Sequence, residues 1–109
     1  MQKFKYYQPT VLEAAFERMA EHEGRAQYIA GGTDVMVRIN QSAIQPEALI
    51  SLSGIGALRE ISLNGEIRLG SMTPFRDIES IPLFSTRCPA LAQAVAVLAN
   101  PQVRNVATI

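Results

Sequence analysis

The spacing of apolar and polar residues changes period several times along this chain, and each change marks an element. Residues Lys3 to Tyr7, "KFKYY", are rich in strand-favouring aromatic side chains, and Pro9 closes them off. In "TVLEAAFERMAEHEG" the apolar residues Leu12, Ala15, Phe16 and Met19 return at helical spacing, which predicts one amphipathic helix with one buried face. Thr10 stands where a cap is needed and Glu13, three residues on, can reach back to complete a capping box, while Gly24 suits a left-handed helix end. Gln27 to Ala30 then form a short apolar strand running into Gly31 and Gly32, and "DVMVRI" beyond them reads as a short helix after Thr33.

Further on, "ALISL" (Ala48 to Leu52) reads as a third strand between Pro46 and the breaker cluster "SGIG". "EISLNGEIRLG" alternates on both sides of Asn64-Gly65, with Ile61 and Leu63 before and Ile67 and Leu69 after, and so predicts a hairpin with a type I′ turn. Thr73-Pro74 pairs a capping residue with a first-turn proline, placing a short helix over Phe75 to Glu79. Pro89 opens another helix, whose Leu91, Val95 and Leu98 share a face and which Asn100-Pro101 should stop. The last residues, "PQVRNVATI", are apolar and β-branched and read as an element interrupted midway. Strand, helix, strand and glycine turn in that order suggest an α/β layer.

Composition narrows the partners. Ten lysines and arginines balance ten acids, so no net field draws the chain onto nucleic acid or an anionic membrane surface. Cys88 is the one cysteine, which excludes an internal disulfide and any all-cysteine cluster built from this chain. The opening "MQKFKYYQPTV" lacks the apolar core of a signal peptide and no segment has the apolar length of a membrane span, so a cytoplasmic location is expected.

Candidate chemistry concentrates at the glycine pair. A Gly-Gly turn at a strand end allows positive φ and close backbone approach, and main-chain N–H groups bared there could cradle a phosphate. The plainer alternative is a tight turn with a helix cap, and the residues alone leave both open. His22, placed by the periodicity on the polar side of the first helix, reads as a solvated side chain rather than a base or ligand. Cys88 reads as a small apolar packer rather than a nucleophile. Arg104 could meet a diphosphate, a carboxylate on a partner chain or water, with solvent or a surface pair the plainer reading. Asp77 and Glu79, two apart on a helix, point to different faces and make a poor acid/base pair. No catalytic constellation or metal site is evident.

Two stretches taken together are more specific. "AGGTDVMV" at Ala30 to Val37 and "ANPQVRNVATI" at Ala99 to Ile109 resemble the two flavin-contacting segments of the FAD-binding medium subunit of the molybdenum hydroxylases, the family of xanthine dehydrogenase and carbon monoxide dehydrogenase. The opening "PTVLEAAFERMAEHEGRAQYIAGGTD" and the intervening "ALISLSGIGALREISLNGEIRLGSMTPFRDI" are similar to the same family in order and spacing. The resemblance implies an α+β fold with α/β-like layers, the N-terminal part of a vanillyl-alcohol-oxidase-type (PCMH-type) FAD-binding domain. Residues 1–55 would form a βαβ subdomain with its glycine turn at 31–32, and residues 56–109 the start of a second, incomplete subdomain with a β-hairpin and helices. It further implies that Ala30, Gly31, Gly32, Thr33 and Asp34 hold the FAD diphosphate through backbone N–H groups and the Thr33 hydroxyl, with Ile29 flanking them. Leu98 or Ala99 would give an apolar contact near the flavin, and Thr108 and Ile109 would open the second segment.

In that family the flavin takes electrons from iron–sulfur clusters of one partner subunit, fed by a molybdenum-cofactor subunit, and passes them to an acceptor such as NAD⁺. The family runs on past "ATI" with a further Gly-Gly-Asn run, so the chain by itself is expected to be inactive. Nanomolar binding corresponds to about 12 kcal/mol, whereas a helix end gives an anion about 0.3–2 kcal/mol, so one segment should hold FAD weakly. Self-association through an open sheet edge is expected as well. The rival reading is a non-catalytic α/β interaction module with a purely structural glycine turn. A Rossmann-type site is disfavoured, because no Gly-x-Gly-x-x-Gly follows a strand.

Overall fold

The computed structural model describes residues 4–32, 35–98 and 100–109, and the chain divides into two compact units, residues 1–58 and 59–109. In the first unit, strand β1 (Lys5–Tyr7), helix α1 (Leu12–Glu21), strand β2 (Ala26–Ile29), helix α2 (Val35–Asn40) and strand β3 (Ala48–Ser51) follow in order. β3 lies between the other two strands, parallel to both, with Lys5 and Ala26 level with Ala48 and Tyr7 and Tyr28 level with Ile50. A central parallel strand is covered on both faces, and all four residues of β3 are accordingly buried. Ile50 joins Ala15 of α1 and Ile55 in a core that Tyr7, Leu12, Met19, Tyr28 and Leu52 surround.

Helix α1 departs from its sequence pattern at three points. It begins at Leu12 with Val11 in the cap position and no side-chain cap, so Thr10 lies one residue too far upstream for the capping box with Glu13 to close. The buried stripe is centred on Leu12, Ala15 and Met19, which turns Phe16 on its flank outward to 58% exposure. At the other end, the Gly24 N–H donates to the Met19 carbonyl and the Glu23 N–H to that of Ala20, the paired bonds of a Schellman turn. Glu23 as well as Gly24 has positive φ there, so the expected left-handed helix end is present but begins one residue earlier.

In the second unit, strands β4 (Ile61–Ser62) and β5 (Arg68–Leu69) form the expected antiparallel hairpin, followed by helices α3 (Phe75–Ser80), α4 (Leu83–Arg87), α5 (Pro89–Val97) and α6 (Pro101–Val106). The turn is not type I′. Ile61 pairs with Leu69 and Ser62 with Arg68, a loop one residue longer than Asn64-Gly65 alone would make, and of that pair only Gly65 has positive φ. The burial pattern explains the register. A two-residue turn would set Ser62 opposite Ile67, splitting the apolar residues between faces, whereas the observed register puts Ile61, Leu63, Ile67 and Leu69 together against Ile78, Phe84 and Val95.

Neither Thr73 nor Pro74 has its expected place in α3. Pro74 is itself the cap residue, in extended conformation, and no side chain caps the helix. Thr73 is fully buried, and both its hydroxyl (2.7 Å) and its N–H (3.1 Å) donate to the Gly70 carbonyl. α4 has no counterpart in the apolar pattern, being five residues long with the fully buried Phe84 as its anchor. α5 ends at Val97, so Leu98 leaves the face shared by Leu91 and Val95 and is 43% exposed. Asn100-Pro101 starts a helix rather than only stopping one: the Asn100 side-chain oxygen accepts from the Val103 N–H at 2.8 Å, with proline in the first turn. Cys88 joins the apolar cluster around Phe84, as a packing residue should. Among the described residues no helix is long and apolar enough to cross a membrane.

Candidate functional site

The glycine turn sits just past the carboxyl end of β2. Ile29 closes the strand, and its carbonyl accepts from the Leu52 N–H at 3.0 Å, tying the end of β2 to the end of β3. Ala30 is exposed and Gly31 and Gly32 are half-buried. Gly32 has φ of +83°, and its carbonyl accepts from the Met36 N–H at 3.1 Å, closing the turn into α2. An added Cβ would meet Ile29 Cδ1 at 3.4 Å, an ordinary contact, so the backbone angle and not lack of space calls for glycine here. Among the described residues, no carbonyl accepts from the N–H of Gly31 or Gly32. Thr33 and Asp34, the other members of the expected diphosphate segment, lie outside the described residues, as does Ala99.

A bared turn at the carboxyl edge of a parallel sheet is where such sheets take ligands, and main-chain N–H groups suit an anion. The residues present thus fit the diphosphate of a dinucleotide. No group of three or more histidines, cysteines and acids that could hold a metal occurs among the described residues.

The opposite end of the same sheet carries a polar network, and here His22 differs from expectation. Its side chain is 12% exposed rather than solvated: Nε2 faces the Tyr7 hydroxyl at 3.1 Å and Nδ1 faces Glu47 Oε2 at 3.3 Å. Three residues beyond Met19, it falls on the flank of the buried stripe and not on the polar side. The Arg25 guanidinium, donating to Glu47 Oε1 at 2.6 Å, and then His22 hold the Glu47 carboxyl below its ordinary range. The Arg18 guanidinium lies 4.4 Å from the centre of the Tyr7 ring. Glu47 also accepts from the Lys5 N–H and donates to the Arg25 carbonyl through its main chain, so this network fastens the starts of all three strands. Its place is with the scaffold.

In the second unit, the segment that ends in Thr108 and Ile109 is pinned by its main chain. The Phe75 N–H donates to the Ala107 carbonyl at 2.9 Å and the Ile109 N–H to that of Thr73 at 3.1 Å, an antiparallel bridge that sets Thr108 against Pro74. Thr108 is half-buried and Ile109 half-exposed. Arg104 is paired, as the plainer reading expected, though its side chain is largely covered. Its side chain is 13% exposed, with Nε donating to Glu79 Oε2 at 3.2 Å and a terminal nitrogen donating to the Leu98 carbonyl at 2.9 Å. Asp77 meets Arg59 at 3.6 Å instead, so the two acids of α3 have separate partners, as their spacing predicts. Thr73 and Arg104 thereby emerge as residues that place the candidate segments. The sequence carried a signal for both, a threonine before proline and an arginine inside an apolar run, but neither signal names its partner.

A small parallel sheet with a glycine turn at its carboxyl edge, and a unit of hairpin and short helices, are the N-terminal part of a PCMH-type FAD-binding fold. Residues 2–109 match the family described as the FAD binding domain in molybdopterin dehydrogenase, and the chain belongs to that family. It is 34% identical over 108 residues to the carbon monoxide dehydrogenase medium chain of Hydrogenophaga pseudoflava, covering 98% of this chain and 38% of that one. To the xanthine dehydrogenase FAD-binding subunit of Escherichia coli O157:H7 it is 31% identical over 105 residues, 94% of this chain and 36% of the relative. A solved structure of the Hydrogenophaga enzyme superposes with a TM-score of 0.91 over 97% of this chain and 37% of the matched one, at 34% identity. Quinoline 2-oxidoreductase from Pseudomonas putida 86 gives 0.89 at 26% identity, over 97% and 37%. The chain thus spans little more than a third of the length of these relatives.

Proposed function

We propose that this chain provides the diphosphate-holding portion of an FAD-binding electron-transfer subunit in a cytoplasmic, multi-subunit molybdenum hydroxylase. The observation that carries the proposal is the turn at Gly31-Gly32, with N–H groups that no described carbonyl claims, in a chain of an FAD-binding family. In the first unit, the N–H groups of Ala30, Gly31 and Gly32 would hold the diphosphate with Ile29 flanking them, and Thr33 and Asp34 would complete the segment. In the second unit, Leu98 offers an apolar contact and Thr108 and Ile109 a polar and an apolar one. When bound, the flavin supplies the redox chemistry, accepting electrons from iron–sulfur clusters of a partner chain and passing them to an acceptor such as NAD⁺. The protein's part is to bind and orient. Alone, with one glycine segment, the chain holds FAD weakly and turns over no substrate.

Titration of FAD fluorescence against the purified chain tests this. Saturable quenching should appear in the micromolar range and be abolished by Gly32→Asp, whose carboxylate repels phosphate. Gly32→Asn should keep most of it, because Asn and Asp both tolerate positive φ and differ in charge. No quenching at high micromolar FAD, or equal loss in both variants, would remove the electrostatic basis of the proposal. We further propose that the open edge of the β4–β5 hairpin and the final segment lead the chain to self-associate, which sedimentation should register as a mass rising with concentration; a monomer throughout refutes it.

A further inference from the structure

Leu98, the apolar residue assigned above to the flavin, lies just past α5, yet little apolar packing holds it: its side chain is 43% exposed and that of Val97 81%. Two polar side chains of its own unit bond the main chain here instead. On one side the Asn100 carboxamide accepts from the Val103 N–H; on the other the Arg104 guanidinium donates to the Leu98 carbonyl. Arg104 has a second bond from a different nitrogen, to Glu79 of α3, and the planar guanidinium fixes the angle between the two. From Arg104 the chain continues into Ala107, whose carbonyl is held by the Phe75 N–H, and then into Thr108 and Ile109.

We infer that Arg104 is a positioning residue for the cofactor, using Glu79 as its anchor to hold the Leu98 carbonyl and so present Leu98. The inference rests on the flavin reading, but the bond it concerns does not. The Arg104 side chain, 13% exposed and bound to both a carboxylate and a carbonyl, makes one bond more than a simple ion pair needs. Such pairs contribute little when solvated. The arrangement also accounts for a main-chain carbonyl just past a helix end, which would otherwise turn to water.

Glu79→Gln and Arg104→Gln separate positioning from stability. Both remove the ion pair and share its cost, but the carboxamide oxygen of Glu79→Gln still accepts from Arg104 and keeps the anchor, so only Arg104→Gln frees the Leu98 carbonyl. FAD quenching and amide hydrogen exchange of the cofactor-free chain are measured on both. Arg104→Gln should weaken FAD binding roughly tenfold or more, the loss of one charge-assisted hydrogen bond, while Glu79→Gln stays within about threefold. Exchange should quicken at Leu98 and Asn100 in Arg104→Gln and remain unchanged at Phe75 and Ile109. Equal losses in the two variants, or undiminished FAD binding in Arg104→Gln while Gly32→Asp abolishes it, would overturn the inference and leave the cofactor reading intact. Should the unaltered chain fail to quench FAD, the cofactor reading falls and exchange alone decides: local quickening sustains the hold on Leu98, and uniform or absent quickening refutes it.

Discussion

The two units hold their candidate segments by different means. In the first, the glycine turn is an outcome of the main chain: a parallel strand ends, Leu52 is bonded to Ile29, and the turn follows with φ of +83° at Gly32. In the second, side chains do the placing. Thr73 bonds Gly70, Asn100 bonds Val103, and Arg104 reaches Leu98 and Glu79. The reason is element length. Helices of five to nine residues are too short to persist alone, so their ends need tertiary anchors. A sheet brings its own ladder of main-chain bonds.

The largest effect should come from the apolar anchor of the short helices. Phe84→Ala removes a fully buried ring and should cost about 3–5 kcal/mol, measured by urea unfolding of the second unit's signals. A loss below about 1 kcal/mol would mean that the polar anchors suffice. In the sheet unit, main-chain crowding is the corresponding weak point. A Cβ at Gly54 would lie 2.8 Å from the Pro9 carbonyl, so Gly54→Ala should cost about 1–3 kcal/mol, whereas Gly56→Ala, with nothing within 4 Å, should be near neutral. Equal midpoints for the two variants would show that the 9–54 approach is loose.

The smallest effect concerns pH. Because Arg25 and His22 lower the Glu47 carboxyl in the folded chain, its stabilisation is present above the unfolded value, near 4.5, and is lost as pH falls through the folded value. Thermal melting should therefore decline below about pH 4.5 less steeply in Glu47→Gln than in the unaltered chain. The exposure of Glu47 keeps the difference modest.

Much of the fold was legible because it follows from local pattern. The stripe of α1, the run of β3, the hairpin and the starts of α3 and α5 all come from residues whose spacing matches an element period. What failed was end chemistry. Thr10 and Thr73 both looked like caps, yet neither caps a helix, while Asn100, read as a stop, does. A cap depends on where the first turn begins, and packing moves that by a residue. The hairpin turn failed likewise, since burying Ile61, Leu63, Ile67 and Leu69 together outweighs the turn preference of Asn-Gly.

Sequence alone therefore determined the order of elements apart from α4 and α6, the balanced net charge, the glycine turn and the family, since these reside in residue type and spacing. Only tertiary structure decided that β3 lies between β1 and β2, that His22 is enclosed between Tyr7 and Glu47, and that Arg104 turns inward to Leu98 and Glu79. Those are choices of partner between residues distant in the chain. A side chain's donors and acceptors are fixed by its chemistry, but what they meet is set by which apolar faces must be buried first.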